Sequence, residues 1–273
     1  MSYGSAVRAR DYALGLLEAT DLAGKLAPPP DGLELDDDGP PLIVPAPRRP
    51  PELAIQHARK VSVPPVAGMR DPSQRARILH ALANHELQAA ELFAWALLAF
   101  PGAPRPFRAG LVKILTDEQR HARLYLDRMA AHGCGFGDHP LTGHFWNKLD
   151  QMATPLGFVC AMGLTFENAN LDFAGAYARA AVAAGDAETA AVLETVHTDE
   201  IGHVRFAWTW MTKLGGGGDA WDVYNAAVAF PLGPARARGR EFDREARRRA
   251  GMDEAFIDKL EAVDATRPSG EPR

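Results

Sequence analysis

The sequence predicts an all-α protein built around an antiparallel bundle of four long helices. Three observations lead there: apolar residues recur at helical spacing from residue 71 to 215, proline and glycine divide that stretch into four, and no run of alternating β-branched residues argues for a sheet. With 273 residues and 47% apolar composition, the chain can bury one sizeable core plus appended segments. The expected organisation is an N-terminal helix and extended proline-rich arm over 1–70, the bundle over 71–215, and a C-terminal extension of short helices over 216–273.

Residues 5–24 read as a short amphipathic helix. From Pro28 to Pro72 prolines are dense and neither hydrophobic period appears, so that stretch cannot be a core element. Its Pro-Leu-Ile-Val-Pro and Pro-Arg-Arg-Pro-Pro pieces suggest an arm lying over the domain, with a disordered linker as the alternative. Asp71-Pro72 supplies an N-cap and a first-turn proline, and Pro101-Gly102 a stop, which places the first long helix over 72–100. The second starts near Pro104 or Pro106 and stops at Gly133. Thr154-Pro155 opens the third, which runs to Gly185; Asp186 caps the fourth, which ends in Gly215 to Gly218. Shorter helices are expected over Asp219 to Phe230 and Asp253 to Val263, with a frayed tail after Thr266.

Each long helix carries ionisable residues on its apolar seam. The first runs Leu79, Leu82, Glu86, Ala89, Phe93; the second Leu111, Ile114, Glu118, His121, Tyr125. The third runs Cys160, Gly163, Glu167, Asn170, Ala174; the fourth Leu193, Val196, Glu200, His203, Ala207. An unpaired buried carboxylate costs several kcal/mol or shifts its pKa until it is neutral, so four pointing inward call for compensating positive charge. Hairpin arithmetic brings them together. The midpoint of Glu86 and Glu118 falls at residue 102, in the first turn, and that of Glu167 and Glu200 beside Gly185. Both pairs are level at about 24 Å from their turns. The gap from 118 to 167 is long enough for one long crossover.

His121 and His203 follow Glu118 and Glu200 at i+3 and share their faces. Two helices with a single Glu alternating with two Glu-x-x-His helices is a pattern for a pair of iron or manganese ions. The six expected ligands are Glu86, Glu118, His121, Glu167, Glu200 and His203, an oxygen-rich set that suits two iron ions, two manganese ions or a mixed pair. Asp117 and Asp199 precede the two Glu-x-x-His pairs and are placed to accept the free N–H of the imidazole on the facing helix. His197 lies about 60° round the helix from Glu200 and reads first as a helix-flank histidine, with an extra ligand or proton donor as the alternative. His80, His85 and Glu91 sit off the first seam, and Tyr125, Tyr177, Trp208 and Trp210 read as core.

With their Asp-Glu-x-x-His repeats, these motifs resemble the ferritin-like di-iron carboxylate proteins. In order, His80-Ala-Leu-Ala-Asn-His-Glu86-Leu-Gln-Ala, Asp117-Glu-Gln-Arg-His121, Gly137-Asp-His-Pro, Glu167-Asn-Ala-Asn-Leu-Asp172 and Asp199-Glu-Ile-Gly-His-Val204 look like an uncharacterised bacterial family allied to the tRNA-hydroxylating enzyme MiaE. The likeness covers most of residues 40–240. It implies a ferritin-like fold with a dinuclear iron site at the six residues above, and it brings no established substrate. This chain departs from the pattern at Asn168 and Asn170, where Glu-Ala-Arg-Gly-Leu-Asp is expected, and in having His85 beside the first ligand.

The functional expectation is an oxidoreductase, an oxidase or oxygenase that uses dioxygen and an electron donor to oxidise a small organic substrate. A ferroxidase or iron-handling protein is the alternative, and a metal-stabilised scaffold or binding module the second. Cys134 and Cys160 cannot form a disulfide framework, no N-terminal stretch reads as a signal peptide, and no apolar run approaches a bilayer span, so the expected location is the cytoplasm with no membrane partner. A homodimer is compatible with the sequence. The net charge of -5 gives no general attraction to nucleic acid, and an RNA substrate, conceivable through the arginine-rich segment and the resemblance, stands as the lesser alternative. The seven arginines at 236, 238, 240, 244, 247, 248 and 249 read as a solvated helix face, with an anion-binding patch as the alternative.

Overall fold

The computed structural model describes residues 7–37, 39–56 and 61–264. The first residues of the expected N-terminal helix and the tail after Thr266 lie outside the described residues. Within them the fold is an all-α bundle with no strand; two isolated bridges, Arg8 with Glu34 and Ile55 with Leu141, are its only β pairing. The helices are α1 (Ala9–Glu18), α2 (Leu22–Lys25), α3 (Pro72–Ala99), α4 (Arg105–Ala131), α5 (Pro155–Phe158), α6 (Asn168–Ala183), α7 (Ala187–Leu214), α8 (Ala220–Ala227), α9 (Arg244–Arg249) and α10 (Glu254–Glu261).

Local chemistry sets the long elements. Asp71 accepts from the Gln74 N–H at 2.8 Å, and Pro72 occupies the first turn of α3, where a missing N–H costs nothing. The last carbonyls of α3 are taken by a side chain: Arg108, fully buried, donates to Leu97 O at 2.9 Å and Phe100 O at 3.0 Å. α4 ends where Gly133 turns to φ 72°, with Gly133 N–H to Ala130 O and Cys134 N–H to Met129 O closing the last turn. Asp186 caps α7 by accepting from the Thr189 N–H at 3.0 Å, and it also binds Arg75, Arg128 and His132, so one carboxylate ties α3 and α4 to the start of α7.

The third long helix is not uniform. After the short α5, residues Val159–Glu167 form a π-helix that leads directly into α6. Two features accompany the widened turns. Thr165 Oγ1 donates to the Cys160 carbonyl at 2.8 Å, a side-chain bond spanning five residues, and Gly163 packs so close to α7 that a Cβ there would overlap that of Ala207. The π-helix ends on Glu167.

The bundle has two apolar halves. One, formed by Leu92, Phe93, Leu111, Ile114, Leu164, Val204 and their neighbours, fills the half nearer the turn between α3 and α4. The other gathers Leu79, Leu82, Tyr125, Leu193 and Val196. Between them lies a layer of buried carboxylates and imidazoles.

Flanking segments cover this bundle. The described part of the proline-rich arm runs along α1 and α3, with Leu42 N–H to Leu98 O at 3.0 Å and Arg48 N–H to Leu17 O at 2.8 Å. Arg49 reaches inward to Glu91 at 2.7 Å, where Lys25 at 3.2 Å and the Trp146 indole N–H at 3.0 Å complete a buried cluster. Glu91 thus has a structural role, joining α2, the arm, α3 and the crossover.

The arginine run is not the solvated helix face that its composition suggests. Only Arg244–Arg249 is α-helical, with Arg236 ending a separate 3-10 turn, and Arg247 is fully buried, donating to both oxygens of Asp172 at 2.7 and 2.9 Å. Asp172 also accepts the Gly239 and Asp243 N–H groups, so this carboxylate anchors the extension to α6. Arg244 and Arg248 are spent on Glu254, Asp258 and Glu261 of α10. Short-range charge pairing in the sequence hid a long-range anchor.

Candidate metal centre

The polar layer collects Glu86 from α3, Glu118 and His121 from α4, Glu167 from the end of the π-helix, and Glu200 and His203 from α7, each buried. Their donor atoms form two overlapping groups, Glu86, Glu118, His121 and Glu200 in one and Glu118, Glu167, Glu200 and His203 in the other. Within each group the donor atoms lie within 4.8 Å of one another. Glu118 and Glu200 belong to both. His121 Nδ1 is 3.5 Å from Glu86 and 3.9 Å from Glu118; His203 Nδ1 is 3.0 Å from Glu118, 3.3 Å from Glu200 and 3.9 Å from Glu167. The two imidazole centroids are 5.8 Å apart.

Six atoms here are buried without a hydrogen bond: Glu118 Oε1, His121 Nδ1, both oxygens of Glu167, Glu200 Oε2 and His203 Nδ1. Buried polar atoms are nearly always satisfied, so such a concentration in one layer marks a place for a partner that side chains do not supply. Electrostatics points the same way. Burial pushes the Glu167 carboxyl up to about 8, with Glu200 and Glu86 adding repulsion, and burial followed by Glu86 raises Glu118 well above the carboxylate range. Burial opposes charge on the imidazoles, but Asp199 and Glu86 hold His121 above its ordinary value, and Asp117, Glu118 and Glu200 hold His203 well above its own. Protons on these groups stand where cations would balance the same charge. An oxygen-rich set with two imidazoles fits iron or manganese ions.

The outer nitrogens are held crosswise. His121 Nε2 on α4 lies 3.1 Å from Asp199 on α7, and His203 Nε2 on α7 lies 3.3 Å from Asp117 on α4. Arg120 joins the two aspartates, 3.1 Å from Asp117 and 2.8 Å from Asp199. This geometry puts Nε2–H on each aspartate and leaves Nδ1 facing the layer. Arg120 was not singled out in the sequence, although its place three residues after Asp117 puts the two on one face. Asn170 was also missed as a contact: its Nδ2 donates to Glu200 Oε1 at 2.9 Å. Asn168 instead bonds the Leu164 carbonyl and lies under Arg247.

His197 belongs to neither group of donor atoms: it is the helix-flank histidine that its position reads as first, and the alternative of an extra ligand falls away. Its Nε2 lies 3.1 Å from Asp243 of the C-terminal extension, because its angular offset on α7 turns it toward the docked segment. His80 accepts the Gly137 N–H at 3.1 Å and holds the crossover. Tyr125, one turn past His121, is fully buried in the adjoining apolar half, where burial and then Glu86 raise its phenol.

Fold and site together define an all-α bundle with a buried Glu/His cluster that could hold metal ions. The chain belongs to the family described as a protein of unknown function, DUF455, whose profile matches residues 17–258, a span that includes the whole bundle and all six buried residues. No curated protein and no solved structure matches it. Among the described residues no helix is long and apolar enough to cross a membrane.

Proposed function

We propose that this chain is a ferritin-like dinuclear non-haem metal enzyme, an oxidase or oxygenase that uses dioxygen and an external electron donor to oxidise a small organic substrate. The observation that carries the reading is the pair of buried four-residue groups sharing Glu118 and Glu200, with six donor atoms lacking any hydrogen bond. Glu86 and His121 would hold one ion, Glu167 and His203 the other, and Glu118 and Glu200 would serve both. Iron is the preferred metal, with manganese or a mixed pair as variants. When bound, the pair would supply the redox chemistry with dioxygen.

The protein's own contribution is positional. Asp117 and Asp199 fix the imidazoles, the two apolar halves keep bulk water from the layer, and Asn170 orients Glu200. The likeness to a family allied to a tRNA hydroxylase supports an oxygen-using reaction without supplying its substrate. The deciding experiment is elemental analysis of protein from cells supplied with iron and manganese, followed by anaerobic reduction and exposure to oxygen. Two metals per chain and rapid oxygen consumption are expected. Absence of stoichiometric metal, or two metals retained in both Glu118→Ala and His203→Ala, would overturn the reading; metal without oxygen consumption would indicate a structural centre.

A further inference from the structure

The C-terminal extension reaches the π-helix through a buried pair of hydroxyls. Tyr224, on α8, is fully buried, and its hydroxyl lies 2.7 Å from Thr165 Oγ1, two residues before Glu167. A second bond fixes the direction of this one. Thr165 Oγ1 donates its single proton to the Cys160 carbonyl at 2.8 Å, so Tyr224 O–H is the donor to Thr165. The bond to Cys160 carries the π spacing. Thr116, Thr195 and Thr198, on α4 and α7, each reach the carbonyl four residues back, whereas Thr165 reaches five.

The pair is not what packing alone would select. From Val159 to Phe166, Thr165 is the only residue with a hydroxyl. Valine and phenylalanine would fill the places of Thr165 and Tyr224 without taking two hydroxyls out of water, each of which costs free energy unless bonded. Tyr224 is also held firmly. Its ring meets Phe256 of α10 edge-on at 5.6 Å, and Phe256 meets Trp208 of α7 at 5.1 Å and Trp221 of α8 at 5.3 Å.

Glu167 depends on the helix beneath it. It is the last residue of the π-helix, and its carboxylate folds back over Gly163, where a Cβ would lie 3.3 Å from Glu167 Oε2. Asn170 holds Glu200 and the crosswise aspartates hold the imidazoles, but no hydrogen bond fixes either oxygen of Glu167. A helix paired at five residues turns less per residue than one paired at four, so the spacing ahead of Glu167 decides the direction in which it projects.

We propose that Tyr224 is a positioning residue for Glu167: by donating to Thr165 it holds the π spacing of the segment that ends on Glu167, and so the C-terminal extension sets the geometry of the Glu167 and His203 half of the centre. The role given to Glu167 rests on the di-metal reading; the hold on the π-helix does not.

The test uses the full chain and cobalt(II), which takes nitrogen and oxygen ligands as ferrous iron does and shows its coordination in visible absorption. Tyr224→Phe keeps the ring and removes the donor, Thr165→Val keeps the shape and removes the hydroxyl, and Thr165→Ser restores it. Glu167→Ala marks which ion is affected. Wild type should take up two ions. Tyr224→Phe and Thr165→Val should each weaken the ion that Glu167→Ala loses by at least about tenfold, with an altered spectrum, while the other ion and Thr165→Ser stay within about threefold of wild type. The double variant should be no worse than the worse single one, because both changes break the same bond. In the metal-free chain, hydrogen exchange over residues 159–168 should quicken at least about fivefold in Tyr224→Phe relative to α3 and α4. The proposal is overturned by equal weakening of both ions, by Thr165→Ser falling as far as Thr165→Val, or by unchanged exchange. A wild-type chain that takes up no cobalt, with exchange quickened in Tyr224→Phe, would sink the di-metal reading and leave the hold on the π-helix standing. Two ions bound by Tyr224→Phe and Thr165→Val with wild-type affinity and spectrum would sink the proposal alone.

Discussion

Replacing Asp199 by asparagine isolates the crosswise support of the histidines. Asp199 is 29% exposed in its side chain and 3.1 Å from His121 Nε2, so the amide fits its place and the fold should be unaffected. The change removes the negative charge that makes the opposite nitrogen, Nδ1, a stronger donor to a metal, and it frees one arm of Arg120. Loss of such a partner costs roughly 10–100-fold in metal affinity, about 1.4–2.7 kcal/mol. The assay is competition with a chromophoric chelator for ferrous iron under anaerobic conditions, alongside circular dichroism. Asp243→Asn is the control, because Asp243 makes the same contact at the same 3.1 Å with His197, which stands outside the centre. The reasoning fails if Asp199→Asn binds metal within about twofold of wild type, or if Asp243→Asn loses as much.

Arg247→Met should destabilise the chain by about 3–5 kcal/mol in urea unfolding, because it leaves Asp172 buried with backbone N–H partners but no countercharge. Gly163→Ala should cost about 1–3 kcal/mol in the same measurement by forcing the π-helix from α7, and Ala207→Gly in the same chain should recover part of it. The metal-free protein should become less stable as pH rises between about 6.5 and 8: Glu167 keeps its proton to about 8 when folded but releases it near 4.5 when unfolded, so the folded state binds more protons across that window, which lies above the range where the depressed His80, His85 and His144 act the other way. Glu118, His121 and His203, all raised, act in the same direction. Metal displaces those protons, so the loaded protein should show a flatter urea midpoint over this range and metal uptake should strengthen with pH.

Much of the bundle was legible because its boundaries are written in residues with strong local effects. Asp71-Pro72, Gly133, Gly185 and Asp186 act within a turn of where they stand, and the observed ends of α3, α4 and α7 fall beside them. The N-terminal helix was less legible, since α1 stops at Glu18 and a separate turn, Leu22–Lys25, follows. The π-helix left no sign either: its residues keep a helical apolar pattern, and what accompanies the widened turns is the close approach to Gly163 of Ala207, 44 residues further along the chain. Arg247 and Glu91 show the same boundary of inference. Arg247 has acidic neighbours in sequence and Glu91 has no Lys or Arg near it, yet each is bound by partners from distant segments, which periodicity does not encode.

The six buried residues were legible for a different reason. A carboxylate on an apolar seam is a local contradiction, and four at matching distances from two turns, with two imidazoles at i+3, call together for compensating positive charge. The structure shows what the alternative involves: without cations, Glu118 and Glu167 must be forced toward their neutral forms and six donor atoms stay orphaned between two well-packed apolar halves. A layer kept only for packing would be more stable with apolar residues of similar volume. The stacked imidazoles of His85 and His144 follow a weaker rule. They gave no such signal, because a lone histidine off a seam contradicts nothing; their stacking, with centroids 5.3 Å apart, joins α3 to the crossover across distant parts of the sequence, which no local pattern encodes.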